Sequence, residues 1–424
     1  MRSVYSFLLY LLMPLVLLYL LLRGLRSREY LSRWSERFGY FDPPAEDGGI
    51  WVHAVSMGEV NAASTLIQGL QKQYPDAPLY ITTFTPTGSS RVRELFGDTV
   101  FHVYSPFDLP GSVSRFFERL RPALAIILET EIWPNLFRAA ASRSVPSVIV
   151  NARISDRSFG SYRRFRKLTS MALGQVSRIA AQSATDAKRL LEIGAPESIL
   201  AVTGNLKFDV SLPPSLLEQG ESIRLAWGAN RPVLVAGSTH ENDEIPVLKA
   251  FAHLLDEFPD ALLVLVPRHP ERFGRAAALA RAAGLRVSLR SENASCGPDM
   301  QCFVIDAMGE LLPYYAACDI AFVGGSLEPI GGHNVLEPAA LCKPVLVGPH
   351  TFNFADITQQ LTEAKAAIQV QDGVELERAL RRLFAEPETR DRMGRAGSEL
   401  VRNGQGAVKR TLAIIDEVFI REAG

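Results

Sequence analysis

Cysteine is scarce in this chain, at four residues in 424, and the four have no metal-ligand spacing. Cys296, Cys302, Cys318 and Cys342 all fall in the second half, mostly inside apolar stretches. They read as small core residues of a reducing compartment. An excess of either charge is equally lacking. Lys and Arg total 45 against 46 for Asp and Glu, so nothing global draws the chain to nucleic acid or to an acidic polymer. There is no Gly-x-Gly-x-x-Gly fingerprint and no Walker loop, which weighs against a dehydrogenase and against a nucleoside triphosphatase. Asp-x-Asp pairs and HExxH are absent, and the interval from His333 to Glu337 is no zinc motif, so neither a metal nor a cofactor is expected.

What is present begins with length. A chain of 424 residues, 47% of them hydrophobic, is too long for one ordinary core, and two domains are the default expectation. The N-terminus stands apart. Val4 to Leu22 is a run of 19 residues without a charge, and as a helix rising about 1.5 Å per residue it would just cross a hydrocarbon core. A cleaved signal peptide is the competing reading, but the run exceeds the usual apolar region and no small-x-small site follows. Arg23, Arg26, Arg28, Arg33 and Arg37 come next, and only Arg2 and the terminal amine precede, so the bulk of the chain is expected on the cytoplasmic side. The segment reads as an anchor, spanning or deeply embedded, which Pro14 kinks without excluding.

From Ile50 onward, short apolar runs alternate with helical patterns. Candidate strands are Ile50–Val55, Leu79–Thr83, Leu124–Leu128, Ser147–Val150 and Arg178–Ala181. A second series follows at Val233–Gly237, Leu262–Val266, Cys302–Ile305, Ile320–Gly324 and Pro344–Val347. Continuous Val/Ile/Leu runs suit strands buried on both faces, and alternation with helices implies right-handed parallel βαβ units. The expected plan is an anchor and basic flank over 1–30, then doubly wound domains over 31–211 and 212–405. A last helix over 406–424 packs back on the first. Two such domains facing across a cleft would hold ligands at the carboxyl ends of their strands.

The unusual residues fall at those ends. Gly331-Gly332-His333-Asn334-Val335-Leu336-Glu337-Pro338 follows the Ile320 strand, where glycines and a helix start suit a nucleotide-linked anion and Glu337 suits sugar hydroxyls. A tight turn capped by Asn334 is the plainer alternative. In the first domain, the Ile50 strand runs into Ser56-Met57-Gly58-Glu59, seating Glu59 at a helix start as a candidate general base. The helix N-terminus would lower its basicity and burial would raise it; a purely capping role is the alternative. Leu128 leads into Glu129-Thr130-Glu131-Ile132-Trp133, two carboxylates for orienting an acceptor or a base beside a Trp that more often packs than binds. Arg153, Arg157, Arg163, Arg164, Arg166 and Lys167, interleaved with Phe159, Tyr162 and Phe165, suit anionic lipid or a phosphorylated acceptor better than RNA, with a solvated face as the alternative. The Leu262 strand ends in Pro267-Arg268-His269, where Arg268 offers a fork to phosphate. The Cys302 strand ends in Asp306-Ala307-Met308-Gly309-Glu310, another glycine turn.

Taken together, Ser56 through Glu59, Glu129 through Asn135, Pro267 through Arg272, Met308 through Leu311, Gly331 through Pro338 and Val347 through Phe354 resemble the motifs of the Kdo transferases of lipopolysaccharide assembly, over essentially the whole chain. That resemblance implies an α/β fold of the GT-B type and an inverting, metal-independent transfer of Kdo from CMP-Kdo to lipid IVA at the inner membrane. It implies Glu59 as general base, Glu129 and Glu131 on the acceptor side, and Arg268, His269, Met308, Gly309, Glu310, Asn334, Val335, Leu336 and Glu337 around CMP. The rivals are a nucleotide-sugar epimerase of the same architecture and a membrane-tethered sugar-nucleotide-binding protein.

Overall fold

The computed structural model describes residues 1–26, 28–292 and 296–423; of Arg26 and of residues 421–423 it describes the backbone alone. The chain divides into two compact units, one formed by Met1–Asp209 with Gln405–Gly424 and the other by Val210–Gly404.

The first unit is built on a parallel sheet of seven strands: β1 (Ile50–His53), β2 (Leu79–Thr83), β3 (Phe101–Tyr104), β4 (Leu124–Leu128), β5 (Ser147–Ala152), β6 (Arg178–Ala181) and β7 (Leu200–Val202). Their order across the sheet is β3-β2-β1-β4-β5-β6-β7. Alternate residues of each inner strand feed two separate cores. Ile50, Val52, Ile81, Ile126 and Val148 pack on one face; Trp51, Tyr80, Ala125, Ile127 and Ile149 pack on the other. Parallel strands need helical crossovers, and helices on both faces explain why both residue sets are apolar.

The second unit repeats the design with β8 (Val233–Thr239), β9 (Leu262–Pro267), β10 (Val287–Leu289), β11 (Cys302–Val304), β12 (Ile320–Val323), β13 (Val345–Val347) and β14 (Ala367–Gln369), ordered β10-β11-β9-β8-β12-β13-β14. Ten of the fourteen strands coincide with the apolar runs. The other four, β3, β7, β10 and β14, are the edge strands, half-buried and three or four residues long. Three cysteines are buried, whereas Cys342 is exposed.

In the first sheet the strand order reverses between β1 and β4, and the second sheet has the matching reversal between β8 and β12, with β11 inserted between β9 and β10 at its other side. At these points the crossovers leave in opposite directions and open a crevice beyond the carboxyl ends.

The N-terminal run forms one helix, α1 (Arg2–Arg26), with Pro14 inside it. The arginines that follow are not a uniform flank. Arg33 pairs with Glu36 at 2.6 Å and donates to the His102 carbonyl at 2.9 Å. Arg37 is buried, donates to the Phe84 carbonyl and lies 4.3 Å over the Tyr104 ring. The free basic flank is therefore shorter than its count of arginines. Arg23 and Arg28 are exposed, and the Arg26 side chain lies outside the described residues.

The C-terminal helix Ala407–Ala423 belongs to the first unit, burying Ala407, Ile415 and Val418 in the same core as Ile50. Asp209 caps it, accepting from Gly406 N and Val408 N at 2.5 Å each. Replacing Asp209 by Ala is expected to cost about 1–2 kcal/mol, a typical loss for an N-cap, readable as a lower urea midpoint at unchanged slope.

Candidate functional site

At the first reversal, β1 delivers Ser56 and the Met57–Gln73 helix, and neighbouring β4 delivers Glu129 to Trp133. Glu59, in the first turn of that helix, folds back on the entering chain. Its Oε2 accepts from Val55 N at 2.7 Å, and Oε1 accepts from Ser56 Oγ at 3.3 Å. The capping geometry is thus real, yet it does not set the basicity. Burial, helped by the Glu129 and Glu131 charges, pushes the Glu59 carboxyl up to about 8, against the two hydrogen bonds that favour its ionised form. Burial also raises Glu131, to about 7, with the Glu129 charge adding to it and a bond from the Trp133 side chain opposing. Glu129 sits in the left-handed region at φ +55°, a conformation a non-glycine residue adopts only when its surroundings hold it there. Three carboxylates therefore converge at the β1/β4 reversal.

Trp133 packs, its ring 5.0 Å from that of His53 at the end of β1. His53 is fully buried, exchanges a 2.8 Å hydrogen bond with Thr82 Oγ1, and is held neutral near 4 by that burial. Asp108 also escaped the sequence reading. It accepts from Asn135 N and Leu136 N, so it caps the Pro134–Ala141 helix that follows the acidic loop, and burial lifts it to about 7.

In the second unit the candidates come off three strands, and the strand between them supplies what the sequence reading missed. Arg268 and His269 follow β9, the Met308–Glu310 turn follows β11, and the glycine segment follows β12. Between β9 and β12 lies β8, which runs into His240 and the Glu241–Leu254 helix. His240 Nε2 stands 3.0 Å from His333 Nε2 with the rings stacked, bridging the β8/β12 reversal. His269 meets His240 edge-on at 5.2 Å. Burial, seconded by the neighbouring His240, Arg268 and His269, pushes His333 down to about 3. Asp243, fully buried, accepts from Gly325 N, Leu327 N and His240 N and fixes the turn after β12. The signal was a His, an Asp and a Glu directly after the first strand of the second series.

The glycine segment differs in detail from its sequence reading. The helix it opens, Leu336–Ala340, is a single turn with little dipole to offer. Asn334 caps it, accepting from Leu336 N, and donates to Glu337 Oε1 at 3.0 Å. Gly331 has φ +109°, and a Cβ there would stand 2.4 Å from the Phe352 ring, so packing alone demands glycine. Val335 and Leu336 are buried, leaving only their backbone for a ligand. Met308 is exposed, while Glu310 takes bonds from Arg290 and Tyr314. Among the described residues no hydrogen bond or ion pair joins the Met308–Glu310 turn to the other candidates.

Known proteins match this chain in both units. The family model described as 3-deoxy-D-manno-octulosonic-acid transferase (kdotransferase) covers residues 32–210, and that of the glycosyl transferases group 1 covers 245–400. A 3-deoxy-D-manno-octulosonic acid transferase of Haemophilus influenzae is 42% identical over 419 residues, 98% of each chain. The chain belongs to the Kdo transferase family. It is a glycosyltransferase by that membership, and a second family member, from Bordetella pertussis, is 36% identical over 98% of this chain and 99% of its own. The UDP-GlcNAc 2-epimerase of Neisseria meningitidis, bound to UDP-GlcNAc, shares the fold at a TM-score of 0.55, covering 87% of this chain and 100% of its own. At 16% identity that likeness extends to architecture alone.

The elevated Glu59 has a consequence for stability. Raised from 4.5 to about 8, it keeps its proton in the folded state while the unfolded chain has lost it, so its contribution to stability falls as pH climbs through that window. Glu59→Gln is expected to match the parent's denaturation midpoint near pH 4 and to exceed it increasingly up to pH 8–9.

Proposed function

We propose that this chain transfers Kdo from CMP-Kdo to lipid IVA, the lipid A precursor, in lipopolysaccharide assembly at the cytoplasmic face of the bacterial inner membrane. Glu59 is the general base. The observation that carries this reading is a carboxylate whose basicity burial and two neighbouring carboxylates raise to about 8, standing at the β1/β4 reversal. A base near that value is strong enough to take a hydroxyl proton and ionised in a useful fraction of molecules at neutral pH.

The chemistry is a single displacement. Glu59 takes the proton of the acceptor hydroxyl as its oxygen attacks the anomeric carbon of Kdo; the bond from that carbon to the phosphate oxygen breaks, and CMP leaves with the electron pair. One displacement inverts the anomeric centre. Glu129 and Glu131 hold the acceptor side and keep Glu59 basic through their charge. The second unit supplies the donor contacts. Arg268, whose side chain makes no hydrogen bond or ion pair among the described residues, meets the leaving phosphate. His269, Met308 through Glu310, and Asn334 through Glu337 surround the rest of CMP, with Glu337 on the ribose. His240 and Asp243 act behind them, through His333 and the Gly325 turn. The epimerase fold likeness carries no activity with it.

Purified protein given CMP-Kdo and lipid IVA should release CMP only with the acceptor and yield a Kdo-bearing lipid; acceptor-independent turnover would overturn the transferase reading. In the same assay Glu59→Gln should bind CMP as before and transfer roughly 10²–10⁴-fold more slowly. Because the base works ionised, kcat/KM of the parent should climb with pH and level off above about 8. Asp243→Asn turns an amide against one of three buried N–H donors, a penalty of about 1–3 kcal/mol. CMP binding should weaken roughly 10–100-fold, measured by calorimetry.

A further inference from the structure

We infer that α1 lies in the plane of one membrane leaflet, along the side of the first unit, and does not cross the bilayer. This rests on the reading that α1 attaches the chain to a membrane, and it decides how.

The inward stripe of α1 runs its whole length. Tyr5, Leu9, Met13, Val16, Leu20 and Gly24, spaced three or four residues apart, are half-buried or buried. Near the helix start, Tyr5 Oη donates to Asp108 Oδ2 at 2.9 Å and Ser6 Oγ donates to Asn135 Oδ1 at 3.1 Å. Near its end, Leu20 is buried in one apolar cluster with Phe107 and Leu109, joined by Trp34 and Phe38. A helix leaving the protein to span a bilayer would hold one end only. Here residue 5, roughly 27 Å from Arg23 along the axis, is bonded to the body of the unit. For α1 to span, that body would have to follow it through hydrocarbon. It carries exposed Arg138 and Arg143 beside the docking site, each costly at the bilayer centre.

The opposite face is unbroken and apolar. Phe7, Leu8, Leu11, Leu15, Leu18 and Leu22 are all exposed, the pattern of a helix sunk sideways into acyl chains. Charge complementarity fixes the occupant as an anionic lipid surface. The Asp156–Arg164 helix and the residues after it expose Arg157, Arg163, Arg164, Arg166 and Lys167 together with Phe165. That segment lies by the start of α1, because α1 and the Arg166–Leu173 helix both pack on the Pro134–Ala141 helix, whose Asn135 takes the bond from Ser6. In a spanning arrangement the start of α1 and its basic neighbour would face opposite sides. In the plane both meet one interface, the leucines among the chains and the arginines on the phosphates.

The arrangement reaches the acceptor carboxylates. Tyr162 Oη donates to the Thr130 carbonyl at 3.2 Å, and Asp108 joins α1 to the helix that follows Trp133. The loop from Glu129 to Trp133 is thereby tied at both ends to the lipid-facing elements, within reach of an acceptor that stays in its leaflet.

The test uses the full chain in native membranes and a membrane-impermeant maleimide. Ser3→Cys should be labelled in inside-out vesicles, alongside the exposed native Cys342, and not in intact spheroplasts. Labelling of Ser3→Cys in spheroplasts overturns the in-plane arrangement. Should Ser3→Cys be shielded from both sides, a short thiol cross-linker on Ser6→Cys/Asn135→Cys decides: a cross-link formed in the membrane supports the arrangement, and its failure contradicts it. Recovery of the chain in the soluble fraction would instead overturn the membrane reading beneath it, while leaving the transfer assay untouched.

Discussion

Every strand pairing in both sheets is parallel, and the rest of the molecule follows from that. Parallel neighbours cannot be joined by hairpins, and among the described residues every connection between consecutive strands of a sheet, except that from β10 to β11, runs through a helix that returns across a face. Both faces are then covered, the strands are apolar throughout, and all carboxyl ends point to one edge. Side chains that would be scattered in an antiparallel sheet are delivered side by side. Where the winding reverses, between β1 and β4 and between β8 and β12, the crossovers diverge, and there Glu59 meets Glu129 and Glu131, and His240 meets His333.

The same constraint explains what could be read from the sequence. Inner strands have neighbours on both sides and helices on both faces, and their Val/Ile/Leu runs are unmistakable. β3, β7, β10 and β14 have one neighbour each, are three or four residues long and leave some side chains in water, so no continuous apolar run marks them. The acidic loop after β4 and Arg268 after β9 were visible as charges at strand ends. His240 and Asp243 were not, because β8 is first in its series and central in its sheet, and only the spatial order reveals the second fact. His53 and Asp108 look ordinary in sequence, since what distinguishes them is burial beside polar partners, complete for His53 and partial for Asp108.

Electrostatics shows the same division. A first-turn glutamate can be read as a cap, and Glu59 does cap Val55 and Ser56. How much protein and how many carboxylates surround it is a property of the fold, and those surroundings raise its basicity where a helix start would lower it. Five arginines after the apolar run look like one basic flank, yet Arg33 and Arg37 are spent inside the first unit. Basic charge at the surface is carried more by the segment around Phe165, far along the chain and brought beside α1 by folding.

The central claim is that burial and neighbouring carboxylates, rather than the helix start, govern Glu59. The direct measurement is an infrared difference spectrum of parent minus Glu59→Gln, recorded across a pH series. A protonated-carboxyl band that persists through pH 7 and gives way to carboxylate near 8 is the result this account predicts. A carboxylate already ionised at pH 5 would contradict it.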